Sequence, residues 1–108
     1  MKRGDVVVVA MNTEVGKPRP ALVIQSNTYL DEHPTINVLP ITSELRNTPA
    51  FRIRVEPDEQ NGLREISEIM VDKIQSPLRT KIGKVIGRLD SGRMAEVDRA
   101  LTVWLGIV

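Results

Sequence analysis

Residues 17–24 have the sequence KPRPALVI, in which a basic, proline-rich segment leads into an apolar run. Each proline fixes its own φ angle and favours an extended conformation in the residue before it, so Lys17 and Arg19 are expected on a stiff segment that enters a strand. The apolar runs at residues 21–25 and 6–10 are continuous, which is typical of strands buried on both faces. This stretch therefore predicts the centre of a compact β-structure with an arginine at its edge.

Further β-type runs, bounded by Gly, Pro and Asn, fill most of the remaining chain. They predict strands at residues 35–39, 51–55, 69–74 and 81–89. In the second of these runs a period of two places Arg52 and Arg54 on the face opposite the apolar side chains. Gly83 and Gly87 indicate bends or bulges in the last strand.

The hydrophobic period changes at the C terminus. Apolar residues recur there at spacings of three and four, at Met94, Val97, Leu101, Trp104 and Leu105. This spacing predicts one helix of about four turns, with Trp104 in the packed stripe. Asp90 or Ser91 can cap its start, and Gly106 can end it. The fold class is therefore α+β: a small antiparallel β-barrel with a C-terminal helix, forming a single domain over residues 1–108.

Composition excludes most catalytic groups. The 108 residues include no cysteine, one histidine and three aromatic residues, and the formal net charge is +1. Thiolate chemistry and sulfur-ligated or multi-histidine metal sites are therefore excluded, and we expect no cofactor and no metal. His33 lies in a polar connection and is interpreted as a surface residue. The chain has no signal peptide and no apolar run of about 20 residues, so we expect a cytoplasmic protein that does not bind membranes.

Several polar residues stand where chemistry is possible, each with a structural alternative. The planar guanidinium of Arg19 suits phosphate oxygens, although it can equally be a surface arginine in a turn. Thr42 and Ser43 end an apolar strand, where hydroxyls bind phosphate or simply satisfy turn backbone. Asp72 and Lys73 fall inside the predicted strand at residues 69–74 and should point to opposite sides, as a base or as members of ion pairs.

Positive charge is concentrated late in the chain. Arg79, Lys81, Lys84 and Arg88 are close enough in sequence to line one surface, while the middle of the chain is rich in carboxylates. Any surface for a nucleic acid must therefore be local, because the net charge is near zero.

Taken in order, these segments resemble the MazF/PemK family of type II toxin–antitoxin endoribonucleases. The matching segments are KRGDV at 2–6, GKPRPALVI at 16–24, SN at 26–27, LPITS at 39–43, NGL at 61–63, Ser67, IMVDKI at 69–74, IGRL at 86–89 and residues 101–106. They follow the family order from one end of the chain to the other.

This resemblance implies an SH3-like barrel, a homodimer, a cognate antitoxin and metal-independent cleavage of single-stranded RNA. The family's catalytic arginine falls on Arg19 and its catalytic threonine on Thr42. Its acidic position falls on Asp72, a possible base or substrate contact. The residues expected to bind RNA are Lys17, Ser43, Arg52 and Lys73. The loop at residues 11–17 is shorter than in many members, and His33 matches no family histidine.

Two other functions remain open at this stage. Toxins of the same fold that poison DNA gyrase end in Trp-Gly-Ile, which Trp104-Leu105-Gly106-Ile107 loosely resembles. A noncatalytic module that binds RNA or protein through its arginines is the third possibility, and salt-dependent binding without turnover would support it.

Overall fold

The computed structural model describes residues 1–10, 17–48 and 50–107. Its elements are β1 (Asp5–Ala10), β2 (Pro18–Val23), α1 (Asn27–Leu30), β3 (Val38–Thr42), β4 (Arg52–Val55), β5 (Ser67–Met70), a 3-10 turn (Arg79–Lys81), β6 (Ile82–Arg88) and α2 (Ser91–Leu105). The strands form one sheet in the order β4-β5-β3-β2-β1-β6, and every neighbouring pair is antiparallel. The predicted α+β fold with a C-terminal helix is confirmed, in a sheet whose edge strands β4 and β6 are not paired with each other.

The central strands are buried on both faces, as their continuous apolar runs predict. Along β1, Val6 belongs to one buried cluster, whereas Val7 and Val9 belong to another on the opposite face. The first cluster is completed by Val97 and Leu101 of α2. The second is covered by residues that follow β2, namely Leu30 of α1 and Ile36. Successive strand residues point to opposite faces, so a strand between two such layers must be apolar at every position.

Two predicted strands are displaced along the chain. The strand predicted at residues 35–39 lies at Val38–Thr42, because Ile36 donates its N–H to the carbonyl of Pro77 rather than to the sheet. The strand predicted at residues 69–74 lies at Ser67–Met70 and is followed by a turn.

The prediction that Asp72 and Lys73 alternate within a strand is therefore wrong. Lys73 N–H closes the turn onto the carbonyl of Met70, 3.2 Å away. Apolar alternation alone does not show which backbone groups have a strand to pair with.

The C-terminal helix has the predicted ends. The Asp90 side chain accepts a hydrogen bond from Arg93 N–H at the start, and Gly106 adopts a left-handed conformation with φ 71° at the end. Within the described residues, no helix has both the length and the apolar character needed to span a bilayer.

The placement of Trp104 in the core is wrong. Trp104 is 45% exposed and packs edge-on against Phe51, with ring centroids 5.2 Å apart. At this end the helix packs against Phe51, which precedes β4 and is itself exposed, so the helical stripe continues past the buried core.

Candidate active site

Strands β2 and β3 are paired only over part of their length, and Arg19 lies where the pairing stops. The ladder between them runs from Val23↔Val38 to Ala21↔Pro40. On its other side β2 remains paired with β1 as far as its first residue, including Val9↔Arg19. Pro18 and Pro20 have no N–H to donate, so they suit a segment that has a neighbouring strand on one side only. Arg19 is thus fixed against β1 and faces an opening toward β3.

This opening is a cleft of about 470 Å³. Its polar lining includes Arg19, Ser43, Arg64, Glu65 and Lys84, and its apolar lining includes Val8, Ile41 and Ile86. The volume and the mixture of apolar walls with a few polar groups are typical of small-molecule subsites, which occupy about 300–1,000 Å³. The structure therefore brings together Arg19 and Ser43, two residues predicted from the sequence, with Lys84 from the basic final third.

A braced loop carries Arg64 and Glu65 to the rim of the cleft. The buried side chain of Asn61 accepts hydrogen bonds from Asp58 N–H (3.1 Å) and Leu63 N–H (2.9 Å), and donates to the carbonyl of Glu56 (2.9 Å). A buried amide with three hydrogen bonds to backbone groups holds the loop in one conformation.

The same loop is pressed against β6. Gly62 has a φ of 71°, and a side chain there would collide with the carbonyl oxygen of Ile86. Arg88 N–H donates to the carbonyl of Gln60 over 2.8 Å. Only glycine allows this close approach at this φ angle, which sets Arg64 and Glu65 beside the cleft that Lys84 lines.

Thr42 lies next to Ser43 but has its own environment. It is paired with Glu68 of β5, and its Oγ1 accepts a hydrogen bond from Glu44 N–H over 3.0 Å. Counting two residues beyond Ala21↔Pro40 brings Arg19 level with Thr42, so both side chains belong to the same side of the sheet. Because the hydroxyl only accepts in this contact, its O–H is available to donate to a ligand.

Arg52 lies in a separate group of charges, which we call the Arg52–Glu68 cluster. Its Nη1 is 3.1 Å from Glu68 Oε1 and 3.0 Å from the carbonyl of Glu44. Glu68 also accepts hydrogen bonds from Arg46 N–H (2.9 Å) and Asn47 N–H (3.2 Å). The side chains of Arg52 and Glu68 are only 15% and 3% exposed.

These contacts determine the ionisation of Glu68. Burial raises the pKa of this carboxyl, but the hydrogen bonds from Arg46, Arg52 and Asn47 outweigh burial and hold the pKa below its usual value. Glu68 is therefore kept as a carboxylate by donors from its own chain.

The other predicted residues do not join the cleft. Asp72 and Lys73 form an ion pair over 3.7 Å on the turn after β5, and neither lines the cleft. Thr42 is paired with Glu68, and Asp72 follows Glu68 by four residues, so Asp72 lies at the other end of β3, about level with Val38. Lys17 is exposed immediately before β2.

The basic residues from Arg79 to Arg88 are divided among different contacts and do not all line the cleft. The guanidinium of Arg79 donates to the carbonyls of Leu30 and His33, which ties the connection after α1 to the 3-10 turn. Arg88 pairs with the buried Asp5 over 3.7 Å. Lys84 is the member of this stretch that lines the cleft.

Comparison with known proteins decides the family. A family described as PemK-like, MazF-like toxin of type II toxin-antitoxin system matches residues 2–105. The chain belongs to this family. It is also 39% identical to a probable endoribonuclease MazF from Mycolicibacterium smegmatis, over 99% of this chain and 98% of that protein. The PemK/MazF family and the endoribonuclease class predicted from the sequence are thereby confirmed.

Solved structures show that the MazF fold extends over the whole chain. A mycobacterial endoribonuclease in complex with its cognate antitoxin is similar with a TM-score of 0.84 at 18% identity, over 100% of this chain and 97% of that one. The Mycobacterium tuberculosis toxin MazF-mt6 has a TM-score of 0.81 at 22% identity, over 94% and 96% of the two chains. A MazE-MazF structure from Deinococcus radiodurans gives 0.80 at 21% identity, over 100% and 98%.

Sequence reasoning missed two of the residues in the cleft. Arg64 and Glu65 follow an acidic, loop-like segment and have no periodic or motif signal of their own. The one indication in the sequence is the NGL segment at residues 61–63, which predicts the turn that directly precedes Arg64 and Glu65. Among the residues that the structure describes, no three His, Cys, Asp or Glu side chains converge as a metal site would require.

Proposed function

We propose that this PemK/MazF-family toxin cleaves single-stranded RNA where β2 and β3 separate, with Arg19 and Thr42 as its catalytic residues. The observation that carries the proposal is the register: Arg19 is fixed to β1 by the Val9↔Arg19 pair and lies level with Thr42 across the opening. Full-length similarity to a probable endoribonuclease supports the same activity.

The chemistry needs no metal ion. The ribose 2′-hydroxyl attacks the adjacent phosphorus, the bond to the 5′-oxygen of the next nucleotide breaks, and the products are a 2′,3′-cyclic phosphate and a 5′-hydroxyl. The proton of the 2′-hydroxyl passes to a base, and the departing 5′-oxygen takes up a proton. Arg19 stabilises the charge that develops on the phosphorane, and Thr42 donates its O–H to a phosphate oxygen.

The other residues predicted to bind RNA differ in whether they lie near Arg19. Lys17 and Ser43 lie beside Arg19 and are proposed to bind the RNA backbone. RNA contacts by Arg52 and Lys73 stay predictions, since the fold already engages Arg52 with Glu68 and Lys73 with Asp72. The position of Asp72 beyond the end of β5 does not favour it as the base.

We further propose that the protein acts in the cytoplasm as a homodimer and is held inactive by a cognate antitoxin. Structures of the fold include an endoribonuclease bound to its cognate antitoxin and a MazE-MazF complex. An acidic or partly disordered segment is the partner that matches the cations around Arg19.

Mapping of RNA ends tests the activity. The purified protein is incubated with a long transcript in EDTA, and both new ends are sequenced and their chemistry is determined. We expect discrete cuts with cyclic phosphate and 5′-hydroxyl ends. Cutting that stops in EDTA would contradict the metal-independent mechanism.

A single deoxyribose tests the nucleophile. Placed immediately 5′ to a mapped cut, it removes the attacking hydroxyl, so cleavage at that site should vanish while other sites are cut normally. Cleavage at the deoxyribose would refute the mechanism. Gyrase–DNA adducts without RNA decay after expression would instead support the gyrase-poisoning alternative.

A further inference from the structure

Three charged side chains in the cleft beside Arg19 are not bound to other described residues. Among the described residues, the Glu65 carboxylate, the Lys84 ammonium and the Arg64 guanidinium make no hydrogen bond and no ion pair, although all three line the same cleft. Only the backbone carbonyl of Glu65 is engaged, since it accepts a hydrogen bond from Ser67 Oγ over 2.9 Å. The backbone at Glu65 is thus positioned while its carboxylate is left for a ligand.

A carboxylate is an unusual group to place beside a phosphate-binding arginine. It repels the RNA backbone and, when ionised, it can only accept hydrogen bonds. In single-stranded RNA its partners are therefore the N–H groups on the Watson–Crick edge of an unstacked base, which proteins read directly.

The hydrogen-bonding groups of the four bases identify guanine as the best match for a carboxylate and an ammonium, here those of Glu65 and Lys84. Guanine presents two adjacent donors, N1–H and the N2 amino group, which match the two oxygens of a carboxylate. Next to them is the O6 acceptor, which matches an ammonium. Adenine and cytosine place an acceptor beside their single amino group, and uracil places its one N–H between two acceptors, so each leaves a carboxylate oxygen without a donor.

We propose that the cleft is a guanine subsite, in which Glu65 accepts from N1–H and the N2 amino group and Lys84 donates to O6. The apolar side chains of Val8, Ile41 and Ile86 provide the surface on which the base lies. Arg19 also lines the cleft, so the guanine belongs to a nucleotide next to the scissile phosphate. This inference rests on the proposed RNA cleavage and names the base that the same site selects.

Substituted guanines test which edge is read. A short RNA containing one mapped site is prepared with guanine, inosine, 2-aminopurine or 7-deazaguanine at the selected position. Inosine lacks the N2 amino group and 2-aminopurine lacks N1–H and O6, so each should lower kcat/KM by about 10- to 100-fold. 7-Deazaguanine keeps the whole Watson–Crick edge and should be cut at the normal rate. Loss of cutting with 7-deazaguanine alone would mean that Arg64 reads O6 and N7 instead, and would overturn the proposal.

Variants test the two protein groups. Glu65→Gln should remove the guanine preference at one fixed position of the mapped sites, and Lys84→Gln should weaken it. Glu59→Gln and Lys81→Gln are the matched controls, because both side chains are exposed and neither lines the cleft. The controls should keep the preference of the natural protein.

The outcomes separate this inference from the proposed function. Cutting by the natural protein with no guanine enriched next to the cut would overturn the guanine subsite and leave the nuclease intact. A Glu65→Gln variant that is slower at every site with unchanged preference would also overturn it, since that is the behaviour of an acid–base residue. Failure of the natural protein to cut RNA would overturn both.

Discussion

The Arg52–Glu68 cluster and the cleft beside Arg19 both contain arginine and glutamate, and they differ in what satisfies their charges. In the Arg52–Glu68 cluster the carboxylate is 3% exposed and takes hydrogen bonds from one side chain and two backbone N–H groups. In the cleft beside Arg19, the carboxylate of Glu65 has no partner within the described part of the chain. Charges that a fold satisfies internally stabilise that fold, whereas exposed charges without such partners, like that of Glu65, are available to bind a ligand.

The difference follows from backbone pairing. β4 and β5 are paired along the whole of β4, from Arg52↔Met70 to Val55↔Ser67, so side chains on this ribbon reach one another. β2 and β3 separate before Arg19, so residues on either side of the opening are held apart. Substitutions in each region test whether the Arg52–Glu68 cluster is structural and the cleft beside Arg19 functional.

The largest effect is expected for Arg19→Ala. It should lower kcat/KM for RNA cleavage by about 100- to 1,000-fold, the usual cost of deleting one group that stabilises transition-state charge. The circular dichroism spectrum and melting temperature should change little. Arg52→Ala is the comparison variant: it should melt earlier, and its kcat/KM per folded molecule should fall much less than that of Arg19→Ala. Full activity in Arg19→Ala would break the comparison.

Glu68→Gln tests the structural cluster. The amide keeps the shape of the side chain but loses its charge and puts a donor where only acceptors fit, so the free energy of unfolding should fall by about 1–3 kcal/mol. Urea denaturation at pH 7 measures this change. Glu65→Gln is the matched control and should alter the free energy of unfolding by less than about 0.5 kcal/mol. Equal losses in the two variants would show that both carboxylates are structural.

Thr42→Val should lower kcat/KM by about 10-fold, because one hydrogen bond to the scissile phosphate is lost. Valine fits the strand, so the melting temperature should fall only by the small effect of losing the hydrogen bond from Glu44 N–H to the hydroxyl. Initial rates on a short RNA with one site provide the measurement. Thr80→Val, at an exposed position remote from the cleft, serves as the control and should have no effect. A Thr42→Val variant with the natural rate would remove Thr42 from the catalytic pair.

The smallest effect concerns pH. The pKa of Glu68 is held below its usual value of 4.5, so the folded state favours the carboxylate. This stabilisation is complete above the pKa of the unfolded chain and is lost as the pH falls through the lower pKa of the folded protein. The urea midpoint of the natural protein should therefore decrease below about pH 4.5. Glu68→Gln should decrease less over the same range, and parallel curves for the two proteins would contradict this account.

Local patterns in the sequence predicted much of the fold. The continuous apolar runs around Val6 and Leu22 predicted strands buried on both faces, and Asp90 and Gly106 predicted the ends of α2. The displaced strands show the limit of such patterns. Thr35 and Ile36 resemble strand residues but pair with residues beyond Ser76, and a single sequence does not show which backbone partner is near.

The candidate site was predictable only in part. Arg19, Thr42 and Ser43 sit in recognisable segments, and the structure places all three where β2 and β3 separate. Glu65 has no signal in the sequence, because its position depends on Asn61 and on the close approach of Gly62 to β6. The reading of Trp104 as a core residue failed because helical spacing gives the direction of a side chain but not the extent of the surface it meets.

The sequence by itself determined the family, the strand and helix composition and the stiff mount of Arg19, because these depend on local preferences and on residues close together in the chain. Only the tertiary structure decided which charges are available. Glu68 and Glu65 look equivalent in the sequence, yet Glu68 is buried and bound to Arg52 whereas Glu65 lines a cleft, since a charge's partners come from strands and loops distant in the chain. Leaving a buried charge unpaired costs free energy, so the fold pairs the buried Glu68, whereas the exposed Glu65 needs no partner within the fold.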